Sequence, residues 1–486
     1  MATHERAMTI RRDALRPALI GRLLLAAGVA ACGLVLARVS PDLALGAMLV
    51  AVGLLVLLLQ PHWGLYALAF AIPFGSMFER SLGPMTVGPS EVLLSGVVVS
   101  CALRLLARRD VSSLRQSTWL WLGISAYLAS LTLSLLPARE LTLGLVEVVK
   151  WIEVLLLYFL VSSQLSERQR RGLLICLLLA GAAQAALGVY QFVGQVGPPG
   201  FVLFDRYMRA YGSFEQPNPF GGYLGLVLPL CYGLLLGGLG RTLPKGRRWL
   251  FTCGVACVGA LLLAGLLMSW SRGALLGLVG GLALVALVWS RRFWPLLLIA
   301  GVAAGLFAPQ LAALTHLDWF SRLTDLTTLI GHDLTAVEIT DVNFANVERL
   351  AHWVAGWRMF GQRPWLGVGT GQYPVVYERV AIPRWNEALG HAHNYYVHTL
   401  AEGGLVALAS YLLMMVGATV AVARRALKGS GWSRGVALGA LGMVGHLWAH
   451  SLVDSLYVHE MYLLVAMVLG LALATSRRDP QRIEAE

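Results

Sequence analysis

The chain has 486 residues, 57% of them hydrophobic and only 13% charged, with a mean hydropathy of +0.68. That is more apolar surface than one water-soluble core can bury, which excludes an ordinary soluble enzyme. A formal net charge of +12 would suit nucleic acid, but the basic residues are spread over many short connections. Anionic lipid headgroups account for them better, and no nucleic-acid partner is expected.

Continuous apolar runs of roughly 17 to 25 residues, each able to cross the hydrocarbon layer as a helix, recur along the chain. They fall at residues 18–37, 43–59, 63–78, 91–106, 118–136, 141–163, 172–193, 219–240, 249–269, 273–290, 294–308, 396–421, 435–453 and 457–475. The runs do not alternate, which argues against a barrel of strands. The expected fold is therefore all-α, a polytopic transmembrane bundle of about 12–14 spans, since the third, fourth and eleventh runs are short. No small-residue cleavage site follows the first run, so it is read as a retained span. Cys32, Cys101, Cys176, Cys231, Cys253 and Cys257 all lie inside runs and are expected to pack, with no disulfide framework.

Lys and Arg stay on the cytoplasmic side in short loops. With the N-terminus inside, clusters such as Arg11 and Arg12, Arg108 and Arg109, Arg170 and Arg171, Arg247 and Arg248, Arg291 and Arg292, Arg424 and Arg425, and Arg477 and Arg478 all fall inside. Both termini are thus expected in the cytoplasm of a cytoplasmic (inner) membrane. No internal repeat divides the chain. Its expected parts are N-terminal spans (1–308), one large external loop (309–395), and C-terminal spans with a short tail (396–486). The loop is rich in aromatic residues, and from 344 to 360 its spacing predicts an amphipathic helix on the bilayer surface, ended by Pro364.

External basic residues are scarce, so their positions carry information. Arg206 and Arg209 precede the eighth run, and Arg272 sits in the hairpin between the ninth and the tenth. A guanidinium is charged at every relevant pH and offers a planar fork to phosphate oxygens; the plainer alternative is contact with lipid headgroups. In Gly390-His-Ala-His-Asn394, His391 and His393 stand where the loop meets the twelfth span, and an imidazole there can take a proton from an attacking hydroxyl. No third ligand accompanies the pair nearby in sequence, so no metal is expected. His446, His450 and Asp454 share one helical stripe, readable as support for the histidines, as a proton path or as structure. Glu147, Lys150 and Glu153 read as self-compensating buried charge.

Together these segments resemble the O-antigen ligase and polymerase superfamily of multi-pass membrane glycosyltransferases. The resemblance rests on Arg209-Ala-Tyr-Gly-Ser-Phe-Glu-Gln-Pro-Asn218, Ser271-Arg-Gly273, Pro364-Trp-Leu-Gly-Val-Gly369, His391-Ala-His-Asn394 and Glu402-Gly-Gly404, in that order. It implies a GT-C-like, metal-independent, cofactor-free enzyme acting at the outer face of the membrane in envelope polysaccharide or lipopolysaccharide biosynthesis. The donor would be an undecaprenyl-pyrophosphate-linked glycan and the acceptor a hydroxyl of a glycan, lipid or protein. By the same resemblance Arg209 and Arg272, with Arg206, hold the pyrophosphate. His393 is the general base, with His391 next, and Asn394, Glu402, His450 and Asp454 support them. Ligase, polymerase and protein O-oligosaccharyltransferase differ only in the acceptor. A secondary transporter is the rival from another class, but it would place its ionisable groups at mid-membrane.

Overall fold

The structure, a computed structural model, describes residues 40–78, 80–82, 85–108, 119–203, 206–238, 244–289, 333–340 and 343–474, with Phe293 and Pro295. The expected spans at 18–37 and 294–308, the loop up to residue 332 and the C-terminal tail lie outside these. The chain divides into two units, Met1–Pro61 and His62–Glu486. The first contributes α1 (Pro41–Leu59), which opens with Pro at its first turn and is apolar nearly throughout.

The second unit holds α2 (Pro61–Phe74, opening at the boundary), α3 (Pro89–Arg108), α4 (Leu120–Leu133), α5 (Leu141–Ser163), α6 (Glu167–Val193), α7 (Pro217–Leu236), α8 (Lys245–Met268) and α9 (Arg272–Trp289). It continues with α10 (Phe344–Gln362), α11 (Tyr373–Val380), α12 (Tyr395–Lys428), α13 (Gly431–His450) and α14 (Met461–Leu473). The described strands are two small hairpins, Arg80–Leu82 with Met85–Val87 and Val202–Leu203 with Tyr207–Met208. Twelve of the fourteen runs read from the sequence thus coincide with described helices. Six of the helices are long and apolar enough to cross a membrane by length and composition alone. The protein is an all-α, multi-pass membrane protein.

α7 and α13 form the centre, packed on each other, with α9 against α13 and α8 against α7. In lipid, water does not drive such helices together, so close backbone approach through small residues matters more. A Cβ on Gly233 would lie 2.3 Å from the Gly439 nitrogen, and one on Gly281 only 2.5 Å from the Gly442 carbonyl. Peripheral helices keep apolar faces outward: 22% of α8 and of α9 is buried against 78% of α7.

α12 is two helices joined at a break, with Gly404 at φ 65°. Breaking a helix inside an apolar bundle frees backbone groups that must find other partners. The Pro364–Gly369 strap supplies them: Leu405 N donates to Pro364 O, Val368 N to Ala401 O and Gly369 N to Glu402 O. Both Glu402 carboxylate oxygens accept backbone N–H groups, from Gly371 and Tyr373, each at 2.8 Å. The strap continues onto the α4–α5 turn, where Thr370 N donates to Ser134 O and Gln372 Oε1 accepts from Arg139 N and Glu140 N.

α10 coincides with the amphipathic helix read from the loop and ends before Pro364. Most of its apolar face is buried against protein, however, with Trp357 left exposed. Val347, Leu350, Ala351, Ala355 and Met359 are buried in two clusters with Tyr373, Tyr377, Ile382, Trp385, Val397 and Ala401. The helix docks on α12 and α11, because those contacts use the same stripe a membrane surface would have taken.

Candidate active site

The histidine pair stands where α12 begins. Asn394 caps that helix, its side-chain oxygen accepting from Tyr396 N and Val397 N. Its amide nitrogen donates to Leu452 O at 2.9 Å, while Tyr395 N donates to Ser451 O. The start of α12 is therefore tied to the end of α13. α13 stops at His450, and one further turn, closed by Asp454 N to His450 O, carries Asp454 up to the histidines.

His393 Nδ1 lies 3.3 Å from Asp454 Oδ1 and His391 Nε2 lies 3.9 Å from it. Burial alone would raise the Asp454 carboxyl. The His393 hydrogen bond, with His391 and Arg349 nearby, outweighs it and holds the group well below its ordinary range. An ionised carboxylate only accepts, so His393 Nδ1 donates. The other ring nitrogen, His393 Nε2, is buried and has no hydrogen-bond partner among the described residues. The backbone N–H of His393 donates to His391 Nδ1 at 3.1 Å, which places the His391 hydrogen on Nε2. Burial, then the neighbouring His393, lowers His391 to about 3, so it is neutral.

His393 takes φ 48°, a left-handed conformation uncommon for residues other than glycine. The surroundings hold it there: besides Asp454 and His391, Trp353 Nε1 donates to the His393 carbonyl. His352 meets the His393 ring edge-on at 5.3 Å. It is itself fixed by the hydroxyls of Tyr373 and Tyr377, and burial, then His393, lowers it to about 4. His352, Trp353 and Arg349 do not emerge from the sequence reading. The only local signal was their spacing along the amphipathic helix.

Arg209 and Arg272 belong to one neighbouring piece of structure. Two α6 glutamines pin the segment after Arg209: Gln191 Oε1 accepts from Tyr211 N and Gly212 N, and Gln184 engages Ser213. Arg209 then crosses to the α8–α9 hairpin, its Nε donating to Ser269 O at 2.9 Å, and closes on Asn218 Oδ1 at 2.9 Å. Arg272 begins α9 three residues beyond Ser269. The next residue, Gly273, abuts the His450 ring and hydrogen-bonds it through its backbone. A run of contacts therefore links Arg209 through Ser269, Gly273 and His450 to the turn that carries Asp454. Arg206 is exposed, 5.1 Å over the Tyr207 ring.

On the other side of His391 lies a cavity of about 90 Å³ lined by Glu147, Lys150, Trp151, Tyr395, His398, Glu402 and Tyr457, among others. Lys150 and Glu147 do pair, at 3.2 Å, but they border this cavity and are not simply buried charge. Glu153 turns away to accept the Tyr462 hydroxyl. The sequence argument against a metal, that no third ligand accompanies the histidines, fails in three dimensions. Asp454 supplies one, with ligand atoms of His391, His393 and Asp454 all within 4.8 Å of one another.

The fold and site define a multi-pass membrane protein with a histidine–carboxylate centre at one end of its bundle. Residues 257–412 match the family model described as O-Antigen ligase, so this stretch of the chain is similar to an O-antigen ligase domain. The match includes Arg272, Arg349 and both histidines; Arg209, His450 and Asp454 fall outside it. No curated protein matches the chain.

Proposed function

We propose that the protein transfers a glycan from an undecaprenyl-pyrophosphate carrier to an acceptor hydroxyl at the outer face of the cytoplasmic membrane, with His393 as general base. The carrying observation is that Asp454 engages His393 Nδ1 at 3.3 Å while Nε2 is buried with no hydrogen-bond partner among the described residues. The acceptor enters from the Lys150 side, where paired charges and aromatic rings suit the mixed donors, acceptors and apolar faces of a sugar. Its oxygen attacks the anomeric carbon, its proton passes to His393 Nε2, and the bond from that carbon to the phosphate oxygen breaks. The electron pair stays on the departing pyrophosphate, which Arg209 and Arg272 neutralise.

In this reading no metal takes part: Asp454 serves to hold the His393 ring and not as a metal ligand. Reconstitution with an undecaprenyl-pyrophosphate glycan and candidate acceptors, in the presence of a chelator, tests it. Transfer by the wild-type protein and none by His393→Ala is the expected result. Transfer that stops with chelator and returns with a divalent ion removes the metal-free mechanism, and equal transfer by both proteins removes the base.

A further inference from the structure

Arg349 and Asn346 project from α10, the helix of the external loop, and play no part in the transfer mechanism described above. Asn346 is 1% exposed, yet among the described residues its amide nitrogen has no hydrogen-bond partner, and neither does the buried Nε of Arg349. Buried donors are nearly always satisfied, since leaving one bare forfeits its hydration without return. Asn346, Arg349 and Trp353 follow one another at intervals of three and four residues and so share a face of α10. Trp353 on that face donates to the His393 carbonyl at 3.2 Å, which points the face at the histidine centre. The Arg349 charge reaches both Asp454 and His450. Its Nη1 makes only a long 3.5 Å contact, to Ala345 O, among the described residues, whereas Arg209 has two of its donors committed to protein oxygens.

We infer that Arg349, with Asn346 one turn before it, forms a phosphate-oxygen binding site on the external helix. The site grips the diphosphate of the donor beside His393. A phosphate oxygen is the acceptor that suits an orphan guanidinium N–H and an orphan amide at once. A third cation also fits the chemistry, because the leaving diphosphate gains negative charge as the glycosidic bond breaks. The site rests on the transfer reading for the identity of its ligand, but its existence does not.

Inorganic pyrophosphate serves as the probe, titrated against the purified full chain in lipid nanodiscs and followed by thermal unfolding at constant ionic strength. Wild type is expected to gain stability with pyrophosphate. Arg349→Gln weakens the apparent affinity about tenfold or more, by the worth of one charge-assisted hydrogen bond. Arg349→Lys recovers part of it and Asn346→Ala loses severalfold, so the test survives if one variant fails to fold. Arg363→Gln, an exposed arginine at the end of the same helix, stays within about twofold, as expected for a screened surface charge.

No stabilisation of wild type overturns the site. So does unchanged pyrophosphate affinity in Arg349→Gln together with lost transfer, which would make Arg349 a counterion that positions Asp454. Pyrophosphate affinity that depends on Arg349 in a protein that transfers no glycan upholds the site and defeats the transfer reading.

Discussion

His393 and Asp454 meet at 3.3 Å although 61 positions separate them, one at the mouth of α12 and the other on the turn that ends α13. In the proposed reaction the carboxylate orients the imidazole and stabilises the imidazolium formed when the ring takes a proton. Asp454→Asn keeps the shape but can present its amide to Nδ1, favouring the tautomer whose hydrogen sits on Nε2. The transfer rate should fall by about 10² to 10⁴, with pyrophosphate affinity nearly unchanged. A rate within a few-fold of wild type would deny the carboxylate this role.

The cavity beside His391 predicts a separation of effects. Lys150→Met removes a charged donor from its wall, so the acceptor KM should rise about tenfold. Slow hydrolysis of the donor by water should continue as before. Steady-state kinetics with each substrate varied in turn reads this directly, and a change confined to the donor KM would move the acceptor elsewhere.

Gly404 is where the α12 break demands glycine. Its φ is 65°, and a Cβ there would lie 2.4 Å from the Trp365 carbonyl group. Gly404→Ala should cost at least about 1 kcal/mol, seen as a lower melting temperature and faster proteolysis of the 364–372 strap. Gly417, on the same helix, has nothing within 4 Å of an added Cβ, so Gly417→Ala should leave both measurements near wild type.

His352 joins α10 to α11 through two tyrosine hydroxyls, and its pKa falls from 6.5 to about 4 in the docked state. The undocked ring binds a proton more readily. Docking is therefore at full strength above about pH 6.5 and is lost progressively as pH falls toward 4. Protease cleavage within 344–380 should rise across that window, and His352→Gln should flatten the dependence. An unchanged profile in the variant would assign the titration to another group.

Thr340 is exposed, just ahead of α10. With the six native cysteines removed, Thr340→Cys should react with a membrane-impermeant thiol reagent in intact cells. Labelling only after lysis would place the loop, and the histidine centre with it, on the cytoplasmic side.

Local chemistry made much of this protein legible in its sequence. A membrane span is an unbroken apolar run, a property of neighbours along the chain, so the ends of α5 at 141 and 163 could be read directly. The 3.6-residue rhythm likewise exposed α10, scarcity singled out Arg209 and Arg272, and the Gly390–Asn394 motif singled out His391 and His393. What the run could not reveal was the partner of each group, because helix packing joins positions far apart in sequence. The α10 stripe was apolar whether it met lipid or α12. Asp454 became the third member of the histidine cluster only when α13 packed beside α12. Glu402 took up backbone N–H groups, and Arg349 came within electrostatic reach of Asp454, only once a strap and a helix from the segment ahead of α12 had docked. Apolar periodicity records that a face is buried; only the packed bundle decides against what, and so which polar atoms are left free to act.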